Sequence, residues 1–266
     1  MKTVRSQDGT TIAFDRTGEG PPVILVGGAF QHRAIDASVA QLAALLAPRF
    51  TVFRYDRRGR GDSSDTPPYA VEREVEDLQA LVEEAGGSAF VFGGSSGAVL
   101  ALDAAARGLP IGKLALYEPP FIVDDSRPPL PKDYVEQLTE LASTGRRGDA
   151  VEYFMTQAMG MPAEAVAGMR SAPFWPALKG VAHTLAYDGT VMGDTMSGNP
   201  EPLKQWASVG VPTLVMVGSE SPPYQQHAVR ALVEILPEAQ LRTLEGQTHD
   251  AAPEILGPVL DEFFAG

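Results

Sequence analysis

The chain has 266 residues, with 34 acidic against 21 basic side chains and a formal charge of −13. That surplus argues against nucleic acid and anionic membranes as partners, because both need cationic surface, and no apolar run approaches the about 20 residues that span a bilayer. With no cysteine there is no disulfide or thiolate chemistry, and the polar start Met1-Lys2-Thr3-Val4-Arg5-Ser6-Gln7-Asp8 lacks a signal peptide's apolar stretch, so a cytoplasmic setting is expected.

A chain of this length buries one large core, or a core with a modest second lobe. Two short strands are expected around Lys2–Arg5 and Thr11–Asp15, joined by a turn at Asp8-Gly9. Pro21-Pro22 opens the apolar run Val23-Ile24-Leu25-Val26, the pattern of a strand covered on both faces, which ends in Gly27-Gly28-Ala29-Phe30. A helix follows from about Ser38 to Leu46, then a strand from Thr51 to Tyr55. That strand leads into a loop where Arg54, Arg57, Arg58 and Arg60 alternate with Asp56, Asp62 and Asp65. The alternation reads as a locally paired loop rather than a basic binding patch. Val71, Val75, Leu78, Leu81 and Val82 recur at helical spacing up to Gly86-Gly87.

The next segment carries the strongest signal. Ala89 to Phe92 reads as a short buried strand, Gly93-Gly94-Ser95-Ser96-Gly97 as a sharp turn, and Ser96 to about Arg107 as a helix. A serine on so tight a turn takes a strained backbone, and glycines two residues either side remove the side chains that would clash. Its hydroxyl then points off the C-terminal edge of a sheet, above a helix N-terminus, which suits attack on a carbonyl. Ser96 also has small neighbours, but Ser95 is flanked by glycine on both sides and is the favoured nucleophile.

Lys113 to Tyr117 is a further buried strand, ending at Glu118-Pro119-Pro120. From Pro119 to about Gln205 helical patterns occur without a convincing strand. This region holds six of the eight methionines, together with Phe121, Phe154, Phe174, Trp175 and Tyr187. Most should form the core of a small helical lobe, with a minority facing a pocket beneath it. Strand patterns resume at Val211–Val217 and Gln240–Leu244, separated by a helix near Gln225–Leu236 and followed by one from Pro253 to about Phe264. The alternation of strand and helix predicts an α/β fold with a parallel sheet covered on both faces.

Of the four histidines, His249 lies just after the last strand and is the candidate base; the spacing of His32, His183, His227 and His249 matches no zinc signature. The glycine-rich turn lacks the lysine of a P-loop and the spacing of a dinucleotide site, so no cofactor or metal is implied.

Taken together, Gly93-Gly94-Ser95-Ser96-Gly97, the loop Tyr55-Asp56-Arg57-Arg58-Gly59-Arg60-Gly61-Asp62-Ser63 and the late Gly246-Gln247-Thr248-His249 make the chain resemble the α/β-hydrolase fold over its whole length. The resemblance implies a mostly parallel eight-stranded sheet flanked by helices, with a helical cap inserted between strands six and seven. The core would comprise residues 1–118 and 206–266, and the cap 119–205. It departs from the family in two places. Gly27-Gly28 stands where many members have His-Gly, leaving the N–H groups of Ala29 and Ser96 as the oxyanion donors. The usual acid position, three residues after Gly218, is occupied by Ser221. Glu118, at the end of the sixth strand, is the favoured substitute, because haloalkane dehalogenases and zearalenone-lactone hydrolases carry their acid there; the latter also share a Ser-Ser-Gly-Ala elbow. Glu220 is the alternative acid.

The resemblance therefore implies a cofactor-independent serine hydrolase acting on a small, apolar ester or lactone through Ser95, His249 and Glu118. Gly28, Phe30, His32, Phe121, Met155, Met159, Trp175 and His183 are the expected pocket-lining set. C–C bond hydrolysis or perhydrolysis on the same triad, and a non-catalytic ligand-binding role, remain the alternatives. The oligomeric state is left open.

Overall fold

A computed structural model describes residues 1–266. Eight strands form one sheet: β1 (Lys2–Arg5), β2 (Thr11–Thr17), β3 (Pro22–Val26), β4 (Thr51–Tyr55), β5 (Ala89–Gly94), β6 (Ile111–Tyr117), β7 (Thr213–Gly218) and β8 (Ala239–Leu244). Their spatial order is β1-β2-β4-β3-β5-β6-β7-β8. The first two are antiparallel, and the six from β4 to β8 run parallel. This is the α/β-hydrolase fold.

The apolar run of β3 shows why both faces had to be covered. Ile24 and Val26 enter one apolar cluster, with α2 (Val71–Glu84), α3 (Ser96–Ala106) and α9 (Pro223–Ile235). Val23 and Leu25 enter the other, with α1 (Ala37–Leu46) and α10 (Pro253–Ala265). Successive residues of a strand point to opposite faces, so a strand buried on both sides must be apolar at every position. Each such aliphatic side chain contributes about 1.5–3 kcal/mol when fully buried.

After β6 the chain leaves the sheet at Glu118-Pro119-Pro120 and forms α4 (Tyr134–Ser143), α5 (Arg147–Gln157), α6 (Ala163–Met169), α7 (Trp175–Gly180) and α8 (Leu185–Met192) before two 3₁₀ segments reach Trp206. Leu138, Val151, Met155, Val166, Trp175 and Leu185 build a separate apolar cluster within these helices. The insert is nevertheless anchored at both ends: Phe121 and Ile122 at its start, and Val191, Met196 and Leu203 near its finish, pack into the main core. None of the helices is long and apolar enough to cross a membrane.

Candidate active site

Only three non-glycine residues have a left-handed backbone, Phe30 (φ 65°), Ser95 (φ 54°) and Glu118 (φ 45°). All three sit just beyond or at the C-terminal ends of neighbouring parallel strands, β3, β5 and β6. Such conformations cost of order 1–3 kcal/mol each and cluster where a site demands them. At Ser95 two glycines make the turn feasible. A Cβ on Gly93 would lie 2.5 Å from the Gly97 carbonyl oxygen, and one on Gly97 would lie 2.4 Å from that of Val26. Only hydrogen fits between the elbow and β3.

Glu118 is fully buried, and both of its carboxylate oxygens are engaged. Its Oε1 accepts from the Gly218 N–H at 2.8 Å and from the Ser221 hydroxyl. Its Oε2 lies 2.8 Å from His249 Nδ1. Ser221, standing where the family's usual acid would be, thus holds the carboxylate that reaches the histidine. The Gln225 amide is also 2.8 Å from Nδ1. Since the ring N–H is directed at a carboxylate, the amide is assigned with its oxygen toward the ring as a second acceptor. The loop bearing His249 is fixed from below by the Tyr117 hydroxyl, which donates to the Thr248 carbonyl. Gly218 allows the backbone at Gln247 to approach, because a Cβ there would meet the Gln247 oxygen at 2.1 Å. Glu220 is exposed, accepts only a long contact from Ser219 Oγ at 3.4 Å, and does not bond the ring.

Ser95 and His249 line two cavities that meet at Ala29, Phe154 and Met159. The larger, about 490 Å³, runs between the loop after β3, α1 and the start of α10. The smaller, about 290 Å³, lies under the insert against Tyr134, Met192, Met196 and Tyr224. Ser95 Oγ and His249 Nε2 have no protein partner; the hydrogen bonds of the ring are all at Nδ1. Ser96 is buried, and its hydroxyl donates to Asp188 Oδ1 at 2.7 Å, so it is engaged elsewhere.

Of the expected lining residues, Gly28, Phe30 and Met159 face these cavities, and five do not. His32 lines a separate narrow slot instead, next to Gln31, whose side chain folds back to accept from the Gly28 N–H. Phe121 is fully buried and stacks on Trp206 at 5.4 Å, drawn into the main core. Met155 and Trp175 close the insert's own core. On α5, Val151 and Met155 share the inward face, whereas Phe154, 100° round the helix, meets the cavity. His183 lies beside Gly59 and 3.9 Å from Asp65, where burial lowers its pKa.

The arginine loop corrects another expectation, since its pairing is not local. Arg57, Arg58 and Arg60 are all buried. Arg57 forks onto Glu74 and reaches Asp188 at 2.7 Å, Arg58 pairs with Asp77 and Asp8, and Arg60 pairs with Asp188 at 2.6 Å. Glu74 and Asp77 belong to α2, and Asp188 to α8. Asp188, with Tyr134, Gln225 and Tyr117, was missed from sequence. For Asp188 a signal existed: an isolated acid within Leu185-Ala186-Tyr187-Asp188-Gly189-Thr190-Val191 must find a buried cation. Gln225 carried none.

Burial alone would raise the Asp188 and Glu74 carboxyls, but the arginines beside them (Arg60 and Arg57 for Asp188, Arg57 for Glu74) more than offset this and hold both below the usual range. For Asp77 burial wins over Arg58 and raises the value. A depressed folded-state pKa contributes stability that is complete above the unfolded value and is lost as pH falls toward the folded one. The midpoint of thermal unfolding is therefore expected to drop as pH is lowered from about 5 to 3, with Asp77 opposing in part. A flat calorimetric Tm over that interval would contradict the paired network.

The model of the Alpha/beta hydrolase family matches residues 23–255. The chain belongs to the alpha/beta hydrolase family. An alpha/beta hydrolase from Sphaerobacter thermophilus DSM 20745 is 58% identical, with a TM-score of 0.90 over 99% of this chain and 100% of that one. The enol-lactonase from Burkholderia xenovorans LB400 shares the fold at 20% identity and a TM-score of 0.71, covering 100% of both chains. The uncharacterized hydrolase YraK of Bacillus subtilis (strain 168) is 35% identical over 109 residues, and the matched stretch spans only 37% of each chain. This alpha/beta hydrolase therefore has close kin in structure and a partial likeness to YraK in sequence.

Proposed function

We propose that the protein is a serine hydrolase that cleaves an uncharged carboxylic ester or lactone through an acyl-enzyme. The observation that carries this reading is the convergence of a left-handed Ser95 and a Glu118-held His249 on one cavity wall. Glu118 accepts the Nδ1 proton and so leaves Nε2 free to take the proton of Ser95 Oγ as it attacks the carbonyl. The N–H groups of Ala29 and Ser96 hold the tetrahedral oxyanion, and water then releases the acid. Helices of residues 119–205 act as the cap over the smaller cavity. The Ser221 hydroxyl supports the Glu118 carboxylate, which favours catalysis over a non-catalytic ligand-binding role.

The restriction to uncharged substrates comes from the cavity walls. Neither cavity has a lysine or arginine in its lining; Asp36, Glu220 and Asp250 contribute carboxylates, while the charge of Asp188 is offset by Arg57 and Arg60. A carboxylate-bearing substrate would meet like charge at close range and a chain of net charge −13 on approach. For a matched pair, the acetate of methyl 4-hydroxybenzoate and that of 4-hydroxybenzoic acid, kcat/KM is expected to be at least about 10-fold lower for the acid, with the gap narrowing as salt rises. Equal rates would remove the restriction. Failure of an aryl fluorophosphonate to label the chain, one per molecule, would remove the serine mechanism itself.

A further inference from the structure

We infer that Asp188, contributed by α8 of the insert, is a positioning residue that sets the geometry of both oxyanion donors. The inference rests on the serine-hydrolase reading above. Its Oδ1 accepts from Ser96 Oγ and from Arg57 Nη1, each at 2.7 Å, and its Oδ2 accepts from Arg60 Nη2 at 2.6 Å. All four side chains are buried.

Each contact ends on the backbone that matters. Ser96 is the residue whose N–H is one donor, and it opens α3, where an N–H has no intrahelical acceptor. Its side chain is tethered to Asp188, so the tether holds that first turn in place. On the other side, Arg60 Nη1 donates to the Gly28 carbonyl at 2.5 Å, and Arg57 Nη1 reaches the Gly27 carbonyl at 3.3 Å. In a trans peptide the C=O and the following N–H point in opposite directions. Holding the Gly28 oxygen toward the buried arginine therefore turns the Ala29 N–H the other way, to the cavity that Ala29 shares with Ser95. The two segments already touch: a Cβ on Gly28 would lie 2.9 Å from Ser95 Cβ.

Asp188 is the sole carboxylate partner of Arg60, so the arginine that orients the Gly28–Ala29 peptide is itself placed by the insert. Seating α8 on the sheet thereby completes the oxyanion hole. A purely structural ion pair would link insert and core without ending on both donor-bearing segments.

The test compares Ser96→Ala and Asp188→Asn with the native enzyme on 4-nitrophenyl butanoate. S96A removes one hydroxyl and keeps the N–H, so it separates tethering from folding even where D188N unfolds. For S96A we expect kcat to fall about 10- to 100-fold with KM within twofold, below the loss seen when an oxyanion donor is deleted outright. The inhibition constant of phenylboronic acid, whose serine adduct is tetrahedral, should rise in proportion, while that of butanoate stays unchanged. D188N, if folded, should show a larger loss of the same kind. The inference is overturned if S96A is folded and both kcat and the boronate constant stay within twofold of native. If instead Ser95→Ala retains full activity, the serine reading has failed and the positioning role goes with it.

Discussion

Ser95→Ala is expected to lower kcat on 4-nitrophenyl butanoate by about 10⁴- to 10⁶-fold while leaving the fold intact. In the proposed mechanism the nucleophile is the one group that no neighbour can replace. Ser96, one residue on, has its hydroxyl bound to Asp188 at 2.7 Å and is buried. Residual turnover would come from the oxyanion donors and substrate binding alone. Alanine keeps the Cβ that already tolerates φ 54°, so backbone strain is unchanged. Circular dichroism and Tm should match the native protein within a few degrees; unaltered turnover in a folded S95A would end the assignment.

Glu118→Gln should cost about 10³- to 10⁴-fold in kcat, whereas Glu220→Gln should stay within about threefold of native. The reason is that both carboxylate oxygens of Glu118 accept. One faces the Gly218 N–H and Ser221 Oγ, the other faces His249 Nδ1. A glutamine has a single oxygen. With its NH₂ toward the ring, the imidazole must carry its proton on Nε2 and cannot take one from Ser95. With its oxygen toward the ring, the NH₂ opposes the Gly218 N–H, an orphaned buried donor costing about 1–3 kcal/mol. Glu220 is exposed and makes no contact with the ring. If E220Q is the inactive variant and E118Q the active one, the acid has been misassigned.

Where chain chemistry is local, the sequence announced the structure. The elbow needs small residues at Gly93 and Gly97 because backbone carbonyls stand about where a Cβ would go, and that constraint is written in five consecutive letters. The same holds for β3, whose unbroken apolar run follows from burial on both faces. Ser221 drew notice only as a misplaced residue, since its role depends on a carboxylate 103 positions away. Pocket lining was harder still. Phe154 and Met155 are adjacent and chemically alike, yet one meets the cavity and the other the insert core. Which way a short helix is rotated over a sheet depends on tertiary packing that composition does not encode. The arginine loop misled for a related reason: charges near in sequence suggested mutual pairing, but buried guanidinium groups took partners from α2 and α8.

Residues 119–205 are unequally free to change over evolutionary time. α8 brings Asp188 under three donors, and Gly189 stands so close to Tyr134 and Val135 that a methyl group would sit 3.0 Å from the valine and 3.1 Å from the tyrosine ring. Divergence along that helix would disturb the proposed oxyanion hole together with the smaller cavity, which the helix lines through Met192. The stretch from α5 to α7 carries no such duty, yet it supplies Phe154 and, just beyond α5, Met159 to the junction of the two cavities. New substrate ranges in this lineage should therefore arise by drift around those two side chains, with α8 held still.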